Sequence, residues 1–478
     1  MSNITKINQS NLDAALLGLA LERTAPDSLQ AQLTEGLRHA ILNDPGTSGA
    51  RLPASRKLAG ELSVSRTTVQ IAYDQLISEG YLTSRTGSGT FVADNLPHLS
   101  PPVTKTTGPR PEAQPWRPFH TGVPDQALFP HQSWARHLER AWRAPENALL
   151  ARPDPMGWYL LRQAIADHLS AWRGLPCDPG QVLITSGAWE AFELICRALL
   201  PGGSAVALED PGWSPLREVL DACGARVCPL RTDHEGLNPA DIPTGVAAAI
   251  VTPSRHYPTG ATMPLARRAA LLDWARQTGG LVVEDDYDSE FRYKGHPLPS
   301  LAGLDGLRHC IYIGSFSKLL SPALRIGYAV LPQTYVDPAR RHLARIGTRA
   351  SLIPQPALAS FMTSGEFATH LRRMRRIYAR RQEYLLSELA PLSDLLDLSP
   401  DPAGMHLCAR LTPKLAGRIT DRHIAARAQE RGVFLRALSS HSGLPDPPQG
   451  LLLGYAGHDE AALGTAAHTL ARLLRDIA

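Results

Sequence analysis

The chain has 478 residues, enough for two or three cores, and its 43% hydrophobic and 20% charged content excludes wholesale disorder. The formal charge is only +4, with 49 Lys and Arg against 45 Asp and Glu, so a nucleic-acid surface has to be local. No run approaches the roughly 18 apolar residues of a membrane span, no basic leader precedes a small-residue cleavage site, and a cytoplasmic protein is expected. Six cysteines, at 177, 196, 223, 228, 310 and 408, form neither CxxC pairs nor a cluster with histidine at metal-ligand spacing. Reduced, mostly buried thiols and no metal are expected.

After an N-terminal extension (1–27), Leu29, Leu33, Leu37, Ala40 and Ile41 recur at helical spacing, with Asp27 and Ser28 as candidate N-caps. Two short helical patterns then flank the turn LSVS (62–65), a helix-turn-helix signal. The second helix begins near Ser65, with Val69, Ala72, Tyr73, Leu76 and Ile77 inward. Its first turns present Ser65, Arg66, Thr67, Thr68 and Gln70, the part of such a helix that meets base edges and phosphates. Arg51, Arg56 and Lys57 sit at the preceding helix and its entry, suited to phosphate contact, and YLTSRTGSGTFV reads as a hairpin whose Gly87 and Gly89 allow close approach to a backbone. The plainer alternative is a small three-helix domain with a solvated basic face. Residues 94–118 are crowded with prolines and have no apolar period, so they read as a semi-extended linker.

Beyond the linker, strand-like runs at 182–185, 205–209, 247–252, 281–286 and 311–314 alternate with helical patterns such as WEAFELICRALL, which predicts a parallel sheet covered by helices. From about residue 355 the pattern changes to long Arg- and Leu-rich helices followed by shorter strands, a smaller α+β subdomain. HLRRMRRIYARRQEYLL (370–386) reads as a helix with Leu371, Met374, Ile377, Tyr378 and Leu385 inward and its arginines in water, electrostatic help with DNA being the alternative.

One set of residues falls at the predicted strand ends, where ligands gather in open α/β sheets. Lys318 follows IYIG between Ser315 and Ser317, with Arg325 a few residues on; Asp285 ends LVVE, and Tyr287 follows it. Trp213 lies in EDPGW, and Gly187 and Ala188 open the helix after VLIT. Pyridoxal 5'-phosphate needs such a set: a lysine for the imine, a carboxylate at the ring nitrogen, a hydroxyl at the ring oxygen, a flat side chain on the ring face and donors for the phosphate. The bland reading of each residue by itself is core, cap or surface.

Residues 28–93, through the string RLPASRKLAGELSVSRTTV and the wing GSGTFV, resemble the winged helix-turn-helix (α+β) head of GntR-type transcription regulators. Residues 119–470 resemble α/β fold-type I aminotransferases, with a large subdomain over about 150–350 and a small one over about 355–478. The strings EDPGW, TPSRHYPTG, VVEDDYDSEFRY and GSFSKLLSPALRIGY are similar to the MocR subfamily in particular. That resemblance implies a homodimeric, pyridoxal-phosphate-binding regulator of double-stranded operator DNA, with Lys318 forming the imine.

The sequence departs from an aminotransferase at three places, one of them Ala188 and Trp189, which replace the polar side chains often found at the phosphate helix and leave its backbone amides to do more of the binding. Tyr257 stands where such enzymes carry the asparagine of NPTG, and Leu452 stands where they carry a carboxylate-binding arginine, with Arg436 or Arg255 as substitutes. The expected effector is therefore pyridoxal phosphate itself, acting on genes of vitamin B6 synthesis or uptake, or a small amine or amino acid that forms an external aldimine. The alternatives are an aminotransferase with an accessory head and a dimerising body that binds no cofactor.

Overall fold

The computed structural model describes residues 16, 18–43, 47–85, 87–94, 96, 117–151, 154–296 and 298–478. The chain divides into two compact units, Met1–Ala113 and Gln114–Ala478. Most of the N-terminal extension and of the Pro-rich linker lies outside the described residues.

In the first unit α1 (Leu29–Asn43), α2 (Ser55–Glu61) and α3 (Arg66–Ser78) precede a hairpin of β1 (Leu82–Arg85) and β2 (Gly89–Val92). Of the two cap candidates, Ser28 takes the role: its Oγ accepts the Ala31 amide at 3.2 Å. Ser65 does the same for α3, accepting the Thr68 amide at 3.0 Å. Leu33, Leu37, Leu58, Val69, Ala72 and Leu76 close over Leu82 and Val92. Each fully buried aliphatic side chain contributes roughly 1.5–3 kcal/mol, which three short helices need to hold together. Tyr73 is buried too, and its hydroxyl donates to the Pro53 carbonyl at 2.9 Å, tying α3 to the entry of α2.

The second unit is built on eight strands: β3 (Val182–Thr185), β4 (Ala205–Asp210), β5 (Arg226–Asp233), β6 (Gly236–Leu237), β7 (Val246–Val251), β8 (Leu281–Asp286), β9 (Cys310–Ser315) and β10 (Gly327–Val330). Their order is β3-β10-β9-β8-β7-β4-β5-β6. The expected parallel arrangement holds for β5-β4-β7-β8-β9. It fails at β10, which lies antiparallel between β3 and β9, and at β6, antiparallel to β5. The link from β9 to β10, residues 316–326, is short for a crossover between parallel strands, so the chain turns straight back.

Alternate residues of the central strands enter two separate cores, one on each face of the sheet. Leu183, Val206, Ile250, Val283 and Ile313 pack on one side. Ile184, Ala207, Val251, Val282 and Tyr312 pack on the other. Helix α4 (Ala188–Leu194) widens into a π-helical turn, Ile195–Leu199, within the stretch that reads as one regular helix in sequence. The small subdomain holds a four-stranded sheet, β11 (Leu396–Asp397), β12 (His406–Leu411), β13 (Arg436–Ala437) and β14 (Gly450–Gly454), in the order β11-β12-β14-β13.

Candidate functional site

Asp285 lies near the carboxyl end of β8, and the two-residue period of a strand decides where it faces. Glu284 and Asp286 turn to one side, where the buried Arg173 guanidinium lies 3.7 Å from Glu284 and 2.8 Å from Asp286. Tyr312 and Ser289 hydroxyls also donate to Asp286, at 2.7 and 2.8 Å. Asp285 turns the other way, into a cavity of about 230 Å³. Burial, reinforced by the negative charges of Asp286, Glu209 and Asp288, pushes its carboxyl up to about 7, while Lys318 pulls it down.

Lys318 enters the same cavity from the single turn α5 (Phe316–Leu319), whose N-cap Ser315 accepts the Ser317 amide at 3.2 Å. Its Nζ donates to the Gly122 carbonyl at 2.7 Å. Burial lowers the lysine pKa and Arg436 adds to the effect, against Asp288 and Asp285. The neutral, nucleophilic amine is thereby easier to reach than in water.

Behind these two groups Arg255 fixes the surroundings. It is buried, donates to the Tyr287 hydroxyl at 2.9 Å and to the His406 carbonyl at 2.7 Å, and pairs with Asp288 at 3.2 Å and Asp401 at 2.8 Å. Aromatic rings supply the walls. Trp213 meets Trp189 edge-on with centres 5.0 Å apart, and Tyr257 meets Tyr287 and His406 edge-on at 5.8 and 5.5 Å.

Of the residues singled out from the sequence, Ala188, Trp213, Tyr257, Asp285, Tyr287, Ser315, Ser317 and Lys318 line this one cavity. Gly187, the N-cap of α4, is adjacent to the lining but not part of it. Arg325 is the outlier. It ends the tight turn Pro322–Leu324 in the left-handed conformation, φ 50°, and stays exposed, because the reversal into β10 leaves it outside the cavity.

The two substitutes for the missing carboxylate-binding arginine also separate. Arg255 is committed to its ion pairs and does not line the cavity, whereas Arg436 does. Leu452 is buried in β14, directly opposite Arg436 of β13 in the antiparallel register. The guanidinium that this sheet offers therefore comes from the neighbouring strand. With Trp189, the neighbour of Ala188, also in the lining, Thr121, Gly122, Asp288, Met405 and His406 complete it without having been singled out. The acidic run EDDYDSE is a signal that includes Asp288; the other four come from distant chain and carry no local mark.

In the head, Arg51, Arg56, Lys57, Ser65, Arg66, Thr67 and Gln70 are exposed and Thr68 is half-buried beneath the Ser65 cap. Gly87 and Gly89 adopt φ 76° and 110°. A Cβ on Gly89 would stand 3.1 Å from Arg51 Nε, so the glycine lets Arg51 lie against the hairpin.

A mixed sheet with a lysine and a carboxylate converging at its strand ends defines the body as an aminotransferase-type domain, and the head is a winged helix-turn-helix. Comparison with known proteins agrees on both parts. Residues 119–470 match the family described as aminotransferase class I and II, and residues 29–92 match bacterial regulatory proteins of the gntR family. The probable rhizopine catabolism regulatory protein MocR of Rhizobium meliloti is 37% identical, over 95% of both chains. The HTH-type pyridoxine biosynthesis transcriptional regulator PdxR of Corynebacterium glutamicum is 36% identical, over 94% of this chain and 96% of its own. Among solved structures, the α-aminoadipate aminotransferase LysN of Thermus thermophilus, complexed with N-(5'-phosphopyridoxyl)-L-leucine, is similar with a TM-score of 0.68 and 26% identity, over 75% of this chain and 92% of its own. The chain belongs to the MocR-type branch of the GntR family, in which a gntR-type head is joined to an aminotransferase class I and II body.

Proposed function

We propose that this protein is a transcription regulator that binds pyridoxal phosphate in the body cavity and operator DNA on the head. The observation that carries this reading is the convergence of Lys318, Asp285 and Tyr287 with Ser315 and Ser317 on one cavity. The residues fit the cofactor: burial favours a neutral amine at Lys318, and Asp285 is a carboxyl raised to about 7 with no hydrogen-bond donor among the described residues.

When bound, pyridoxal phosphate supplies an aldehyde that condenses with a neutral amine and a ring nitrogen that takes a proton. Lys318 provides the amine, held at the Gly122 carbonyl. Asp285 ionises when a cation stands in front of it and so holds a proton on that partner. Tyr287, oriented by Arg255, and Tyr257 beside it are assigned to the ring oxygen. Trp213 would cover the ring face, and Ser315, Ser317 and the amides of Gly187 and Ala188 would donate to the phosphate.

On the head, Arg66, Thr67 and Gln70 at the exposed start of α3 read the major groove, and Arg51, Arg56, Ser65, Thr68 and the glycine-bearing wing approach the backbone. Two copies of the chain would place two heads on paired half-sites. The name of the Corynebacterium relative connects it with pyridoxine biosynthesis, which supports pyridoxal phosphate itself as the effector. A second reading rests on Arg436: as a guanidinium lining the cavity, it suits the anionic end of an amine or amino acid.

The test is the visible absorption of the purified protein titrated with pyridoxal phosphate, wild type beside Lys318→Ala, together with its affinity for the DNA upstream of its own gene. A lysine-dependent band accompanied by a change in DNA affinity is expected. A wild type that shows no band has no such cofactor, and a steady keto-acid product with an amino acid panel would make the protein an enzyme instead.

A further inference from the structure

A second concave region lies elsewhere on the body. It is an open groove of about 440 Å³ between the turn after β8, which supplies Arg292 and Tyr293, and the long helix Glu366–Leu389, which supplies Arg372, Arg375, Arg376 and Ala379. The helical residues fall at the spacing that shares one face, bordering the buried Leu371, Met374 and Tyr378.

Four guanidiniums therefore face one groove, and among the described residues none of them forms an ion pair. Arginines further along the same helix behave differently: Arg380 pairs with Glu460 at 2.6 Å and Arg381 with Asp125 at 2.7 Å. Glu290 is the acidic group that acts on Arg375, and it already holds His168 at 3.3 Å. Arg375 lies over the Trp172 ring at 4.2 Å, which positions its plane. The Nε atoms of Arg292 and Arg375 and the Nε1 of Trp172 are shut from solvent and have no hydrogen-bond partner among the described residues.

Buried donors without acceptors are uncommon, and like charges on one helix face repel. The repulsion is relieved by a multivalent anion that brings several oxygens to the planar, forked donors facing the groove, which is the match between arginine and phosphate. We propose that this groove is a phosphate-binding site, in which Arg292, Arg372, Arg375 and Arg376 donate to phosphate oxygens. The phosphate belongs either to the backbone of duplex DNA or to a free phosphate compound; the chemistry at the arginines is the same.

The test uses the full-length protein, the exposed double variant R372Q/R376Q, the charge-preserving R375K, and R373Q/R380Q as a control of equal charge change on the same helix, outside the groove. Calorimetry with inorganic pyrophosphate reads the free source. Anisotropy of a random-sequence duplex across a salt series reads the DNA source, since each lost phosphate contact flattens the logarithmic salt slope by about 1. A free ligand shows as pyrophosphate binding weakened about tenfold or more in R372Q/R376Q and measurably in R375K, with an unchanged salt slope. A DNA contact shows as a slope flatter by about 2 in R372Q/R376Q. Absence of pyrophosphate binding together with an unchanged slope overturns the proposal. So does an equal loss in R373Q/R380Q, which would reduce the effect to net charge.

Discussion

Lys318 Nζ donates a 2.7 Å hydrogen bond to the carbonyl of Gly122, a residue 196 positions earlier in the chain. Gly122 has φ 69°, and a Cβ placed on it would lie 2.7 Å from the same Nζ. The glycine is therefore both the lysine's acceptor and the space into which the lysine extends.

Gly122→Ala should fold with a loss of about 1–2 kcal/mol from the left-handed backbone and should displace the lysine. Pyridoxal phosphate affinity, measured by absorption titration, is expected to fall about tenfold or more while the melting temperature drops by only a few degrees. Unchanged affinity would mean that the amine is not held at this carbonyl when it reacts.

Asp285 supplies the pH prediction. Its carboxyl is raised from 3.8 to about 7 in the folded cofactor-free protein, chiefly by burial. The folded state then binds more protons than the unfolded state between these values, so this residue's contribution to stability falls as pH rises through that window. Asp285→Asn removes the buried charge. At pH 8 the cofactor-free variant should be more stable than wild type, by on the order of 1–4 kcal/mol, and the advantage should vanish near pH 4. The same variant should bind pyridoxal phosphate more weakly. Denaturant melts at the two pH values check the sign.

Arg255 joins the segment after β8, through Asp288 and Tyr287, to Asp401 and His406 of the small subdomain. Removing one partner of a buried pair leaves uncompensated charge and costs about 3–5 kcal/mol. Arg255→Ala is expected to lose that much in denaturant melts. A loss under 1 kcal/mol would show that solvent reaches the carboxylates.

Ser65 caps α3 at 3.0 Å. Ser65→Ala should destabilise the head by about 1 kcal/mol and weaken binding to every DNA sequence alike. Arg66→Ala should leave the melt of the head unchanged, cost about 1–3 kcal/mol in operator affinity and relax the sequence preference. Circular dichroism and anisotropy separate the two effects.

Much of the body's strand pattern was legible because buried strands read as continuous apolar runs: Val182–Thr185 and Leu281–Asp286 both appear in the structure with the bounds expected from sequence. Gly327–Val330 is not among the runs that read as strands, and neither this strand nor its reversed direction was legible. Direction depends on the length and path of the connection, not on composition.

The sequence by itself determined the gntR-type head and the aminotransferase-type body, and it singled out eight residues that line one cavity, because each of those features is written locally, in a period, a cap or a strand end. Only the tertiary structure decided that Arg325 stays outside, that Arg255 is spent on Asp288 and Asp401, that Arg436 stands opposite Leu452, and that Gly122 receives Lys318. These are contacts between segments far apart in the chain. Their geometry is set by how the sheet, the helices and the small subdomain pack, and no local pattern of residue types carries it.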